Sequence, residues 1–262
     1  MTTLVTSDNF RLDPSGIELA ATLFVPAGDG PHPGLVICHG MPAGPRPEPG
    51  APPAPDVGLS YPGVAEWCAL EGFATLIFNF RGTGESGGNF HAMGWAHDLD
   101  AVITWMLARP EVDASRLALL GSSMGAAVAT YATAHRPEVA GLVSFAGPAE
   151  TRARANPAED LERMREMGII RDPDFPPSLE EWANEGLELS PSRWVSMIAP
   201  RPLLILHGDA DDVVSPDSAH VLYERAGEGK ELRMLPGVGH RFRSEPTAMA
   251  AAIEWLRARF VG

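Results

Sequence analysis

A serine framed by glycines, a downstream histidine and a choice of aspartates are the residues best suited to chemistry in this 262-residue chain. Gly121-Ser122-Ser123-Met124-Gly125 follows the apolar run Leu117–Leu120 and leads into the small residues Ala126–Thr130. Glycines two before and two after Ser123 let a strand and a helix pack closely around a sharp turn that exposes the serine. The serine then sits at a helix N-terminus, where free N–H groups favour developing negative charge. A serine hydroxyl is a poor nucleophile until a base takes its proton, and a third group must fix the base's tautomer. The chain supplies partners in the order acid, then histidine. Asp209, Asp211 and Asp212 follow the apolar run 202–206, and His240 follows the run 231–235.

Other clusters carry less. Gly82-Thr83-Gly84-Glu85-Ser86-Gly87 matches a dinucleotide fingerprint, yet no helix starts within the glycines and no acidic residue closes a second strand about twenty residues on. It reads as a tight turn, with Arg81 placed to pair a carboxylate and brace the site. His91 and His97 lack metal-ligand spacing, so neither a metal nor a cofactor is expected. Cys38 and Cys68 read as buried free thiols. His39 reads as a structural hydrogen-bonder beside the Gly40 turn, with a second-base role as the alternative.

The elements that must position these residues alternate. Residues 3–12 and 17–25 predict an antiparallel hairpin across Asp13-Pro14-Ser15-Gly16. Strand-like stretches at 34–38, 73–80, 116–120, 140–145, 202–206 and 231–235 predict strands, with 34–38 a continuous apolar run expected of a central strand buried on both faces. Helical stretches fall between them: 61–70, 93–108, the elbow helix to His135, 216–226 and 245–260. The proline-rich stretch 42–55 predicts a long loop. Between 148 and 196 charges cluster and no strand-like run appears, which predicts a helical cap insertion with helices over 151–167 and 178–187. The fold class is therefore α/β: a doubly wound, mostly parallel sheet in a single domain spanning 1–262. Both partner loops then leave strand C-termini on the sheet edge that carries Ser123, where ligands bind in such sheets.

Taken together, Gly121-Ser122-Ser123-Met124-Gly125, His207-Gly208-x-x-Asp211-x-x-Val214 and Gly239-His240 resemble the α/β-hydrolase superfamily. They resemble most closely its serine esterases and its dienelactone-hydrolase-like and prolyl-oligopeptidase-like catalytic domains, as does Asn79-Phe80-Arg81-Gly82-Thr83-Gly84-Glu85-Ser86. The resemblance implies Ser123 as nucleophile, His240 as general base and then acid, and Asp211 as the orienting carboxylate, because the family's acid stands three residues after the glycine. Asp209 is the alternative. It also implies an oxyanion hole from the backbone N–H groups of Met124 and Met41. The expected reaction is hydrolysis of a small-molecule carboxylic ester of short to medium acyl length. Amide, peptide or thioester hydrolysis and acyl transfer are alternatives, and a non-catalytic binding protein is the rival from another class. Peptidases of this branch usually carry a propeller ahead of the catalytic domain, for which this length leaves no room, so the ester reading leads.

A net charge of −14 disfavours nucleic acid and anionic membranes as partners. With neither a signal-peptide pattern at the N-terminus nor an apolar run of transmembrane length, the expected location is cytoplasmic. A homodimer is left open. Trp182, Trp194 and Phe175 either line an acyl pocket or anchor the insertion, and the insertion with the proline-rich loop is expected to set substrate size.

Overall fold

A computed structural model of the chain describes residues 5–42, 44 and 59–261. Eight strands form one sheet: β1 Thr6–Leu12, β2 Leu19–Val25, β3 His32–Cys38, β4 Ala74–Phe78, β5 Val112–Ser122, β6 Val139–Phe145, β7 Leu203–Gly208 and β8 Lys230–Leu235. Their spatial order is β1-β2-β4-β3-β5-β6-β7-β8. β1 pairs antiparallel with β2, and β2 antiparallel with β4; every other pair is parallel. The hairpin, the six further strands and the doubly wound parallel sheet are thus as the sequence predicts. The proline-rich stretch lies outside the described residues, apart from Pro42 and Gly44.

The inner parallel strands are buried on both faces because successive residues alternate between two cores, whereas the edge strand β8 is only half-buried. Val36, Cys38, Leu117, Leu119 and Ile205 pack on one face, against α2 (Ala92–Leu107) and α3 (Met124–His135). Leu35, Ile37, Leu120, Val143 and Leu206 pack on the other, against α1 (Tyr61–Leu70) and α8 (Pro246–Phe260). From β3 the chain winds outward to β4, then crosses back to β5 on β3's other side. That reversal sets the C-termini of β3 and β5 side by side, with Cys38 opposite Gly121. It is the switch point at which open parallel sheets hold their ligands.

Between β6 and β7 lie α4 (Pro157–Glu166), α5 (Leu179–Asn184) and α6 (Pro191–Trp194), with 3-10 turns at Glu185–Leu189 and Val195–Ile198. Helices are therefore present where predicted, but the first is shorter than the expected 151–167. Pro157 disfavours helical backbone in the residue before it, and Asn156 sits at φ −124°, so the helix begins at the proline. α7 (Asp217–Arg225) joins β7 to β8.

Candidate active site

Ser123 occupies the turn between β5 and α3 with φ 55° and ψ −125°, a left-handed conformation that a non-glycine residue adopts only under constraint. The constraint is visible on every side. The Ser123 N–H donates to the Phe145 carbonyl at 3.0 Å. A Cβ on Gly121 would lie 2.6 Å from Ala126 Cα, and one on Gly125 would strike the Cys38 and His39 carbonyls. Across the turn, a Cβ on Gly40 would come within 2.9 Å of Ser123 Cβ. The end of β3 therefore presses directly against the serine. Met124 is the first residue of α3, so its N–H has no acceptor within the helix. Met41 follows Gly40 and lines the same cleft as Ser123.

His240 and Asp211 come together from the loops after β8 and β7. His240 Nδ1 lies 2.8 Å from Asp211 Oδ2, and the Asp211 side chain is fully buried. Asp211 Oδ1 accepts the Val213 and Val214 N–H groups, each at 2.9 Å. Burial alone would raise the Asp211 pKa, but the Val214 amide, the His240 ring and the Val213 amide outweigh it, so the carboxyl sits below its ordinary value. With Nδ1 engaged, Nε2 is the ring nitrogen of His240 left for proton transfer. Asp209 is employed otherwise: its Oδ1 accepts the Gly237 N–H at 2.6 Å and ties the two loops together. Asp212 is exposed.

His39 takes a structural place. Its Nε2 lies 3.3 Å from the Phe80 N–H, so it accepts there, and Nδ1 must carry the proton that goes to the Gly40 carbonyl at 2.7 Å. Burial, with Arg243 nearby, lowers its pKa to about 4 against a weaker opposing pull from Gly40. Arg81 does pair a carboxylate. Its guanidinium donates to Asp98 Oδ1 at 2.6 and 2.9 Å, and its backbone N–H to Oδ2 at 2.8 Å, all within the interior. Gly82 and Gly84, both at positive φ, bend the loop 79–88 around that pair.

Ser123 and His240 line one cleft of about 1110 Å3, floored by the ends of β3 and β5. It is also lined by Asn9 and Thr22 of the N-terminal hairpin, Asn79, Glu85 and Val213. None of the described residues lining it belongs to 148–196. The expectation that the insertion sets the pocket is therefore corrected: it packs on α2, α3 and α7 instead. Trp182 is buried and donates to the Phe90 carbonyl at 3.3 Å, with the Arg154 guanidinium 4.2 Å above its ring. Trp194 donates to the Glu188 carbonyl at 2.6 Å and stands edge-on to Tyr131 of α3. Phe175 packs near His91. All three anchor the insertion. The hairpin wall escaped sequence reasoning, because a strand's alternation shows which face is buried but not which loop opens beside it. His207, fully buried beside Asp211, was visible only as part of a motif.

Residues 60–260 match the sequence profile of the prolyl oligopeptidase family, well over half of the chain. The chain belongs to that family. Among its relatives, the uncharacterized protein Rv2307c of Mycobacterium tuberculosis is 28% identical over 227 residues, which cover 86% of this chain and 69% of that one. Similar solved structures include the α/β hydrolase GrgF from Penicillium sp. sh18, at a TM-score of 0.72 and 20% identity over 99% of this chain and 100% of that one. The Pyrococcus furiosus esterase Pf2001 is similar at a TM-score of 0.69 and 20% identity over 98% and 93%. These likenesses place this member of the prolyl oligopeptidase family in the α/β-hydrolase fold. Among the described residues no helix is long and apolar enough to cross a membrane.

Proposed function

We propose that the protein is a serine hydrolase that cleaves carboxylic esters of short to medium acyl groups through an acyl-enzyme. One observation carries the reading. Ser123, held at φ 55° on the strand–helix turn, shares a cleft with His240, whose Nδ1 is 2.8 Å from the buried Asp211. In the proposed reaction Ser123 Oγ attacks the ester carbonyl while His240 Nε2 takes its proton. Asp211 holds the ring in the Nδ1–H tautomer and stabilises the imidazolium that forms. The Met41 and Met124 N–H groups receive the oxyanion. His240 then protonates the departing alcohol, and a water activated by the same nitrogen releases the acid.

The short to medium acyl length is supported by Asn9, Thr22, Asn79 and Glu85, which interrupt an otherwise largely apolar cleft lining that a long alkyl chain would need unbroken. The prolyl oligopeptidase family match favours amide hydrolysis as the second reading, since the same triad attacks either carbonyl. Steady-state rates on p-nitrophenyl esters of increasing chain length, beside matched p-nitroanilides, separate the two. Acetate to hexanoate esters should be turned over fastest, and Ser123→Ala should lose at least about a thousandfold in kcat/KM. Faster turnover of the anilides would install the amide reading, and an undiminished Ser123→Ala rate would remove Ser123 from the chemistry.

A further inference from the structure

His207 ends the apolar run of β7 with its side chain 1% exposed, against an Asp211 side chain that is 0% exposed. Its Nε2 lies 3.0 Å from the Val214 carbonyl oxygen and 3.1 Å from Asp211 Oδ2. A carbonyl and a carboxylate only accept, so Nε2 must carry the ring proton. Nδ1 is then an acceptor, and it is buried with no hydrogen-bond partner among the described residues. An apolar side chain of similar volume would fill this place without burying an unpaired nitrogen. Packing therefore gives no reason for a histidine here; the Nε2–H does.

That N–H faces both the Val214 carbonyl and Asp211. Oδ1 accepts two backbone N–H groups, and Oδ2 accepts the His240 ring and lies 3.1 Å from His207 Nε2. We propose that His207 is a positioning residue for the hydrolysis, its Nε2–H fixing Asp211 Oδ2 where that oxygen orients His240. The role rests on the serine-hydrolase reading above. Asp211 and, beyond it, His240 are the ionisable groups that bear on His207; its β8 neighbour is Met234. Burial lowers the His207 pKa against the opposing pulls of the Val214 carbonyl and Asp211, which favours the neutral ring.

Two variants and one spectrum test this. His207→Leu removes the donor, whereas His207→Gln keeps an N–H at about the same reach. On p-nitrophenyl butyrate, His207→Leu should lower kcat at least about tenfold, as displaced catalytic groups do, with KM within about twofold. His207→Gln should recover most of that loss, even where both variants melt earlier than the parent. Long-range 1H–15N NMR of the parent at neutral pH should show His207 as the Nε2–H tautomer, and the same in Ser123→Ala. A kcat in His207→Leu within twofold of the parent would overturn the proposal. So would equal losses in the Leu and Gln variants, or an Nδ1–H tautomer. Unchanged turnover in Ser123→Ala would overturn the hydrolase reading and the positioning role with it, while the tautomer result would still stand as structure.

Discussion

Two carboxylates two residues apart, Asp209 and Asp211, do different work in the loop after β7. Asp211 sends one oxygen to His240 and the other to two backbone amides. Asp209 holds the Gly237 amide and touches no ring. In the proposed mechanism only Asp211 sets the tautomer of the base. Asp211→Asn should therefore cost about four orders of magnitude in kcat, the scale of a triad carboxylate replaced by its amide. Asp209→Asn removes only the charge from one hydrogen bond between loops and should cost less than about tenfold. Stopped-flow or steady-state ester hydrolysis on both variants checks the ranking, and a reversal would make Asp209 the acid. The spacing after Gly208 pointed to Asp211 from the sequence. It could not show that His207, four residues earlier, closes on the same oxygen, since that contact depends on how the loop folds back over β7.

Among the elements, the strand–turn–helix around Ser123 was the most legible, because glycine at 121 and 125 answers a steric demand that any such turn makes. The structure adds Gly40, whose missing side chain lets β3 approach Ser123. The inner parallel strands were nearly as legible, since burial on both faces favours long apolar stretches. What each helix of 148–196 packs on was not. Their amphipathic charges mark them as surface elements, and only tertiary contacts put them against α2, α3 and α7 and away from the described lining of the cleft. This assigns separate outcomes to two walls. Trp182→Ala empties a buried site and should destabilise the fold by about 3–5 kcal/mol, read by urea melts, while leaving the acyl-chain preference unchanged. Thr22→Leu, on the hairpin wall, should raise kcat/KM for the octanoate ester over the acetate several-fold, at a worth of roughly 1–3 kcal/mol per methylene well packed. A shifted preference in Trp182→Ala and none in Thr22→Leu would return specificity to the insertion.

Over the whole molecule, buried polar groups tie the sheet edge that carries Ser123 to the surrounding loops. The Arg81–Asp98 pair joins the loop after β4 to α2, and His39 joins β3 to Phe80. Removing one partner of such a buried pair typically costs about 3–5 kcal/mol, because the other charge is left uncompensated. His39 makes global stability depend on pH. Its pKa falls from 6.5 to about 4 in the folded protein, so between those values the unfolded chain binds the extra proton. Stability must then drop as pH falls from 6.5 towards 4, by on the order of 3 kcal/mol from this group. Asp211, whose pKa is lowered, adds its loss only as pH falls through the unfolded aspartate value of 3.8. Urea melts of the parent and His39→Gln at pH 7.0 and 4.5 isolate the term, which the variant should lack. An equal acid loss in both proteins would place it elsewhere. The central claim concerns Ser123, and its most direct test is covalent. A fluorophosphonate probe, followed by peptide mass mapping, should modify the peptide carrying Ser123 stoichiometrically in the parent. It should label Ser123→Ala not at all, and His240→Ala slower by at least about a hundredfold. Stoichiometric adduct on any other serine, with Ser123 unmodified, would contradict the account.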